Sequence, residues 1–266
     1  MLMLWMVYAF VIGLVFGSFA NVVIYRIPRG LSIVAPPSAC TACGRRLTLL
    51  DLVPIASWLA LKARCRYCRA SVSMRYPVVE LGCGMLFSSM VFYTESFSVI
   101  PLAFLWFLLL CVSMIDIDAG EIPMGLVSAG AVAGVAWVAG AHFVPELFPL
   151  APVWHTALLG VVVAAALSWL VVFARVGFGF GNRQPLAVHM ANGLGYVKLA
   201  SMLGLFLGWQ KTLLALWLAG VVFAVFTWRY IRKKDKPRLP FAPFLSGGGL
   251  IALWFGQPIL HIIGIG

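Results

Sequence analysis

Long apolar stretches separated by short polar segments make up most of this chain. A transmembrane helix needs about 20 apolar residues in succession. Eight stretches reach or approach that length, and they cover residues 2–25, 77–93, 98–115, 122–141, 154–176, 193–209, 212–228 and 239–263. The pattern predicts an all-α polytopic membrane protein with about eight transmembrane helices. The first stretch lacks a basic start and a small-residue cleavage site, so we expect it to be a retained span.

The charged residues agree with this topology and orient it. Only 10% of the residues are charged, whereas soluble domains have about 25%. Of the 19 Lys and Arg residues, 17 lie in connections on one side of the predicted membrane. The positive-inside rule makes that side the cytoplasm and puts both termini outside. The net charge of +11 then follows from topology, and we expect no nucleic-acid partner.

The connection between the first two stretches, residues 26–76, is predicted to form a small cytoplasmic domain. It holds two C-x-x-C pairs separated by 21 residues, and the four cysteines are Cys40, Cys43, Cys65 and Cys68. Each pair can supply two thiolates to one tetrahedral Zn²⁺ ion. About fifty residues with few apolar side chains form a poor core, so a structural zinc ion would hold the segment together. A redox or free-thiol role for the pairs is the open alternative.

Acidic residues are concentrated where the third stretch ends. Three of the eight in the chain stand there, and they are Asp116, Asp118 and Glu121. A carboxylate at the margin of a membrane span is costly and faces protein or water, which indicates a functional site. The other interpretation is that Asp116 only anchors the helix end beside Lys198 or an arginine of residues 26–76.

Six segments of the chain, in order, resemble the bacterial type IV prepilin peptidases, which are intramembrane aspartic proteases of the GxGD type. The segments are FGSFANVVIYRIP at residues 16–28, DLVPIASWLALKARCRYC at 51–68, SMRYPVVE at 73–80, IDIDAGEIP at 115–123, GLGYVKLASMLG at 193–204 and PFAPFL at 240–245. The resemblance covers nearly the whole chain. It implies three parts, namely a first transmembrane helix (1–25), a four-cysteine zinc domain (26–76) and a seven-helix intramembrane peptidase domain (77–266).

The resemblance also implies where the catalytic residues lie. The first aspartate of the family's pair falls on Asp116. The second falls on Tyr196, and the surrounding motif positions are matched by Gly193, Gly195, Lys198 and Asp118. Peptide hydrolysis in this class uses two carboxylates that share one proton, because two like charges so close cannot both be ionised. A phenol with a pKa of about 10 is neutral at pH 7 and cannot replace the second carboxylate, although it can donate a hydrogen bond.

Two neighbouring acids are poor substitutes for the missing carboxylate. Asp118 lies two residues from Asp116, and residues at that spacing do not share a helical face. Glu121 would need an irregular backbone to fold back. We therefore expect that the chain cleaves nothing, and a catalytically inactive prepilin-binding or assembly protein of the same fold is the alternative to an enzyme. A small transporter is disfavoured, because no pair of interrupted helices or internal repeat is evident.

The function implied by the resemblance is removal of the basic leader from type IV prepilins or type II secretion pseudopilins, at the cytoplasmic face of the bacterial inner membrane. Many family members then N-methylate the new amino terminus with S-adenosylmethionine. The sequence shows no independent motif for this cofactor, and its binding residues stay unassigned. Residues 18–21 and residues 26–76, here called the cysteine segment, are the expected neighbours of the cofactor. Glu80, at the start of the second stretch, is expected to pair with an arginine of residues 26–76.

Overall fold

The helices of a computed structural model follow the apolar stretches closely. The structure describes residues 1–94, 96–177, 186–231 and 239–263. Its α-helices are α1 (Leu2–Arg26), α2 (Ala56–Ala60), α3 (Arg75–Tyr93), α4 (Val99–Ala119), α5 (Met124–Phe143), α6 (Trp154–Gly177), α7 (Leu186–Ile231) and α8 (Ala242–Ile263). Two short 3₁₀ turns, Ile27–Arg29 and Leu49–Leu52, lie between α1 and α2. No strand longer than an isolated bridge occurs in these residues, so the predicted all-α class is confirmed.

Six helices in the described ranges are long and apolar enough to cross a membrane. The predicted count of eight is not confirmed. The apolar part of α6, Trp154–Leu170, is shorter than a span, and the predicted sixth and seventh spans form one apolar stretch, Gly193–Trp228. That stretch is interrupted at Gly208, whose φ of 70° and ψ of 172° are not helical. Glu95 and the basic connections at 178–185 and 232–238 lie outside the described residues.

The chain divides into two compact units. Unit 1 consists of Met1–Glu95 and Ala103–Cys111, and unit 2 consists of Ser96–Leu102 and Val112–Gly266. Helix α4 therefore contributes its middle to unit 1 and both of its ends to unit 2.

In unit 1, small residues let α1 and α3 approach each other closely. A Cβ atom added at Gly17 would lie 2.5 Å from the Glu80 Cα atom, and one added at Gly13 would lie 2.7 Å from the Gly84 Cα atom. Such glycine contacts are the usual means of close helix packing in membranes. They hold the two ends of the cysteine segment together, and there the Asn21 side-chain amide donates a hydrogen bond to the Tyr76 carbonyl at 3.2 Å.

In unit 2, glycine residues likewise let α6 and α7 pack closely. A Cβ atom added at Gly204 would lie 2.5 Å from the backbone of Gly160, and the reverse substitution meets the Gly204 carbonyl oxygen at 2.5 Å. Helix α5 packs on α7 through Gly134, where an added Cβ atom would lie 2.9 Å from the Phe206 ring. Because backbones touch at the crossing of α6 and α7, these helices have little freedom to shift against one another.

Candidate active site

Asp116 lies in the last turn of α4. The helix ends at Ala119 because Gly120 adopts the left-handed conformation with φ 65° and ψ 35°, and the Gly120 N–H donates to the Asp116 carbonyl at 2.9 Å. Glycine is the common residue at this position after a helix, since it has no Cβ atom to clash. One turn earlier, the Ser113 hydroxyl is hydrogen-bonded to Ser246 of α8 at 2.9 Å. The end of α4 is therefore fixed against α8.

Asp116 is only 2% exposed, and each of its carboxylate oxygens accepts a hydrogen bond. The Tyr196 hydroxyl of α7 donates to Asp116 Oδ1 at 2.8 Å. The N–H of Ala242, the first residue of α8, donates to Asp116 Oδ2 at 2.8 Å. A helix N-terminus favours negative charge, so α8 and the phenol together stabilise a buried carboxylate that would otherwise be costly.

Tyr196 is held by an aromatic contact and by the glycine before it. Its ring meets the Phe241 ring edge-on, with centroids 5.7 Å apart. Gly195 is buried, and a Cβ atom there would lie 2.9 Å from the Ile122 Cβ atom. The glycine thus lets α7 pass close to the segment that leads into α5. This close approach brings the phenol within reach of α4.

Of the site residues predicted from the sequence, the structure brings two together and leaves three others exposed. Asp116 and Tyr196 are hydrogen-bonded to each other, although they lie 80 residues apart in sequence. Asp118, Glu121 and Lys198 are exposed, and Gly193 is half-buried. The sequence reasoning missed the Ala242 N–H as a partner of Asp116. The only signal was the position of Ala242 inside the quoted PFAPFL segment, because a backbone donor has no side-chain signature.

The four paired cysteines form one cluster in unit 1. Their sulfur atoms lie within 4.8 Å of one another, and the Cys40 and Cys68 sulfurs are 3.9 Å apart. Four sulfurs at the usual zinc–sulfur distance in a tetrahedral site are separated by about 3.8 Å. The donor set and its spacing therefore fit a metal ion of the zinc type.

The two cysteine pairs have matching backbones. The Gly44 N–H donates to the Cys40 carbonyl at 2.8 Å, and the Arg69 N–H donates to the Cys65 carbonyl at 3.1 Å. Gly44 has a φ of 68°, and Arg69, at the equivalent place, has a φ of 59°. Backbone N–H groups of Cys43 and Ala42 also lower the pKa of the Cys40 thiol to about 7.

An ion pair stabilises the 3₁₀ turn beside this cluster. Arg66 Nε lies 2.6 Å from Asp51 Oδ1, and the Thr48 hydroxyl and N–H both donate to Asp51 Oδ2, at 2.8 and 3.0 Å. Although partial burial acts in the opposite direction, the Arg66 and Thr48 hydrogen bonds lower the pKa of Asp51 to about 2. The carboxylate is therefore ionised at neutral pH.

The expected pairing of Glu80 with an arginine is wrong. Glu80 is 7% exposed, and its Oε2 atom accepts a hydrogen bond from the Ile55 N–H at 2.7 Å. Ile55 has a φ of 58° and a ψ of −51°, a strained conformation for a β-branched residue. Glu80 therefore satisfies the backbone of a strained turn, which only the tertiary structure could reveal.

Comparisons with known proteins agree with this architecture. A family model described as Bacterial Peptidase A24 N-terminal domain matches residues 11–94, and one described as Type IV leader peptidase family matches residues 102–228. The prepilin leader peptidase/N-methyltransferase of Burkholderia pseudomallei (strain K96243) is 31% identical over 97% of this chain and 87% of its own length. The Bacillus subtilis protein of that name is 31% identical over 94% of each chain.

The relative of the same name from Myxococcus xanthus is 37% identical over 84% of this chain, which spans 62% of that relative's length. No solved structure matches the chain significantly. An all-helical multi-pass membrane fold, a four-cysteine cluster after the first helix and matches of this extent define the class. The chain belongs to the type IV leader peptidase family.

Proposed function

We propose that this chain acts on the amino-terminal segment of type IV prepilins or pseudopilins, with Asp116 and residue 196 as its peptide-bond site. The observation that carries the proposal is the 2.8 Å hydrogen bond between the Asp116 carboxylate and the Tyr196 hydroxyl. It joins the two positions that hold the paired acids in the family. The proposal includes an inner-membrane location with the cysteine segment in the cytoplasm and both termini outside, as the distribution of basic residues favours.

The chemistry of this site depends on residue 196. In an aspartic protease the ionised carboxylate takes a proton from water, while the protonated one donates to the peptide carbonyl. Asp116 is suited to the first role, because it is buried and held as an acceptor by two donors. The Tyr196 phenol is a donor, but its proton is directed at Asp116 and it cannot exchange that proton as a carboxylic acid does. We therefore propose that peptide hydrolysis is severely reduced in this chain.

The test is cleavage of a purified prepilin by the full-length protein in detergent. Tyr196→Asp should cleave faster than the unaltered chain by about 10² to 10⁴-fold, the usual contribution of a positioned acid or base. Tyr196→Phe serves as the control that removes only the hydroxyl, and it should stay inactive. Adding Asp116→Asn to Tyr196→Asp should abolish the recovered activity.

Two results would contradict the proposal in different ways. Equal cleavage by the unaltered chain and by Tyr196→Asp would refute residue 196 as the position of the second acid. A Tyr196→Asp protein that binds metal and melts like the unaltered chain, yet cleaves no prepilin or pseudopilin, would refute the substrate class.

We further propose that the cysteine cluster binds one structural Zn²⁺ ion and that residues 26–76 form a domain of their own around it. The sulfur spacing of 3.9 Å between Cys40 and Cys68 supports this assignment. Elemental analysis of the purified chain should give one zinc per molecule. Cys65→Ser, which alters the buried cysteine of the cluster, should lose the metal, whereas Cys83→Ser in α3 should keep it.

A second proposed activity is methyl transfer, and the names of the relatives are its support. S-adenosylmethionine would supply an electrophilic methyl group for the new amino terminus. A cleft of about 340 Å³ in the cysteine segment is lined by apolar and polar residues of 37–52, with Arg46 as its charged side chain. Its lining offers no acidic side chain to the sulfonium and the ammonium group of this cofactor, so it does not support an assignment. We assign no residue to methyl transfer. The alternative of a purely binding or assembly protein is not favoured, since the relatives are named as enzymes.

A further inference from the structure

The cysteine segment exposes large apolar side chains outside the membrane spans. Leu49 is 86% exposed, Leu50 is 70% exposed and Leu59 is 61% exposed. Soluble surfaces rarely present several large apolar residues so close in sequence, and such a group indicates an interaction site. We call residues 49–59 the leucine segment.

The leucine segment is rigidly held. Its first turn, Leu49–Leu52, is closed by a capping box in which Thr48 and Asp51 bond each other's backbone and side chain. Arg66 fixes the same carboxylate through the 2.6 Å ion pair. The exposure of Leu49 and Leu50 is therefore a property of a hydrogen-bonded turn with a defined conformation.

Glu80 sets the depth of the leucine segment along α3. Helix α3 begins at Arg75 and is long and apolar enough to cross a membrane. Glu80 lies five residues into it, which corresponds to about 7.5 Å along the helix axis. Because the Glu80 carboxylate holds the Ile55 N–H at 2.7 Å, the middle of the leucine segment, at Ile55, lies beside the second turn of the span. Each polar layer of a bilayer is about 5–8 Å thick, so this is the depth of the headgroups.

The charge around the leucine segment is complementary to anionic lipid. Residues 26–75 contain nine Lys and Arg residues and one acidic residue, Asp51, which is already paired. Four of these cations are exposed and have no side-chain partner in the part of the chain that the structure describes, and they are Arg46, Lys62, Arg64 and Arg69. Even a divalent ion on four thiolates leaves the segment net positive. The basic leader of a prepilin would be repelled by such a surface, whereas phospholipid phosphates would be attracted.

We propose that the leucine segment is an interfacial membrane anchor for anionic phospholipid. Leu49, Leu50 and Leu59 enter the boundary between headgroups and acyl chains, and the four exposed cations bind phosphates beside it. Apolar insertion and electrostatic attraction act together in such anchors. Excluding the basic prepilin leader as the partner of this segment rests on the proposed function, which names the prepilin as substrate. Membrane binding by the leucine segment involves neither Asp116 nor Tyr196.

The experiment uses the full-length, metal-loaded chain in lipid nanodiscs. The discs contain a phosphatidylglycerol that carries a photoactivatable diazirine near its glycerol, and trypsin then releases the peptide of residues 47–62, whose lipid adducts are counted by mass spectrometry. Leu49→Ser with Leu50→Ser should reduce the adducts about tenfold, since two apolar side chains are removed from the interface. Zwitterionic discs with a matching diazirine phosphatidylcholine should also give fewer adducts than anionic ones.

A matched pair of variants at Glu80 tests the depth argument. Glu80→Gln keeps an oxygen that can accept the Ile55 N–H and should keep the adducts. Glu80→Ala removes the acceptor and should lose them although every leucine is still present. Zinc content confirms that each variant retains its cysteine cluster, and no readout depends on peptidase activity.

The proposal is overturned if the unaltered chain gives no adducts on peptide 47–62, or if the double leucine variant gives as many. Photocrosslinks from the same peptide to a prepilin, or to a second copy of the chain, in place of lipid would also overturn it. They would identify the leucine segment as a protein-binding surface.

Discussion

Among the described residues, each of the two units of this protein holds one buried acidic residue, Glu80 at 7% exposure in unit 1 and Asp116 at 2% in unit 2. Both carboxylates accept a backbone N–H, Glu80 from Ile55 at 2.7 Å and Asp116 from Ala242 at 2.8 Å, and Asp116 also accepts the Tyr196 hydroxyl. The difference lies in what is held. Glu80 holds a strained turn of a loop, whereas Asp116 joins the end of α4 to the start of α8 and to the third turn of α7. A buried carboxylate that accepts a backbone N–H therefore stabilises a loop in unit 1 and forms part of a candidate active site in unit 2.

The units also differ in what stabilises them. The cysteine segment of unit 1 has a four-cysteine cluster that can hold a metal ion, an ion pair and the Glu80–Ile55 hydrogen bond. Unit 2 depends on helices whose backbones touch at Gly160 and Gly204. We therefore expect chemical treatments to disturb unit 1 and changes of side-chain size to disturb unit 2.

The largest expected effect is the loss of metal from unit 1. Structural zinc contributes apparent binding free energies of about 10–16 kcal/mol in small domains, so a strong chelator should unfold residues 38–72. Hydrogen exchange measured by mass spectrometry should rise throughout that segment. Peptides of α7 and α8 should exchange as before. Protection of the cysteine segment that persists after the metal has gone would show that the cluster is not its main support.

A bulky residue at the crossing of α6 and α7 should have the next largest effect. Gly204→Val would place side-chain atoms against the Gly160 backbone, and overpacking of this kind costs about 1–3 kcal/mol or more. Thermal unfolding in detergent should show a lower midpoint. Gly220→Ala is the matched control, because no atom lies within 4 Å of its added Cβ atom and alanine favours a helix. A Gly204→Val protein that melts like Gly220→Ala would contradict the close packing.

Removing each buried carboxylate should disturb only its own partner. Glu80→Ala leaves the Ile55 N–H unsatisfied and Asp116→Ala leaves the Ala242 N–H unsatisfied, each at a cost of about 1–3 kcal/mol. Hydrogen exchange should accelerate at Ile55 in the first variant and at Ala242 in the second. If either variant accelerated hydrogen exchange at both amides, the two carboxylates would not be independent sites.

The smallest expected effect comes from the Asp51–Arg66 ion pair. Because the pKa of Asp51 is lowered to about 2 from its usual 3.8, its contribution is complete above pH 3.8 and is lost only as the pH falls toward 2. Asp51→Asn should weaken the 3₁₀ turn only slightly, since Arg66 is exposed to solvent and water screens the ion pair. The difference from the unaltered chain, measured by exchange of the Leu52 amide, should be equal at pH 7 and pH 5 and should shrink as the pH falls from about 4 toward 2. A difference that is absent at pH 7, or that stays constant down to pH 2, would refute the lowered pKa.

Much of the architecture was predictable because its signals are local. Apolar length marks the helices, and the spacing of the cysteine pairs marks a cluster that the structure brings together within 4.8 Å. The family resemblance was confirmed by the comparisons. The predicted count of eight spans was not confirmed. Apolar length alone does not show whether residues 193–228 form one stretch with a kink at Gly208 or two separate helices.

The sequence by itself determined the helical membrane class, the four candidate metal ligands and the identity of residue 196, since each depends on residue type and spacing. Only the tertiary structure decided that the Tyr196 phenol bonds Asp116, that the Ala242 N–H completes the site and that Glu80 holds Ile55 in place of an arginine. The physical reason is that backbone N–H groups are the same at every residue. Which of them meets a buried carboxylate depends on how closely the helices pack.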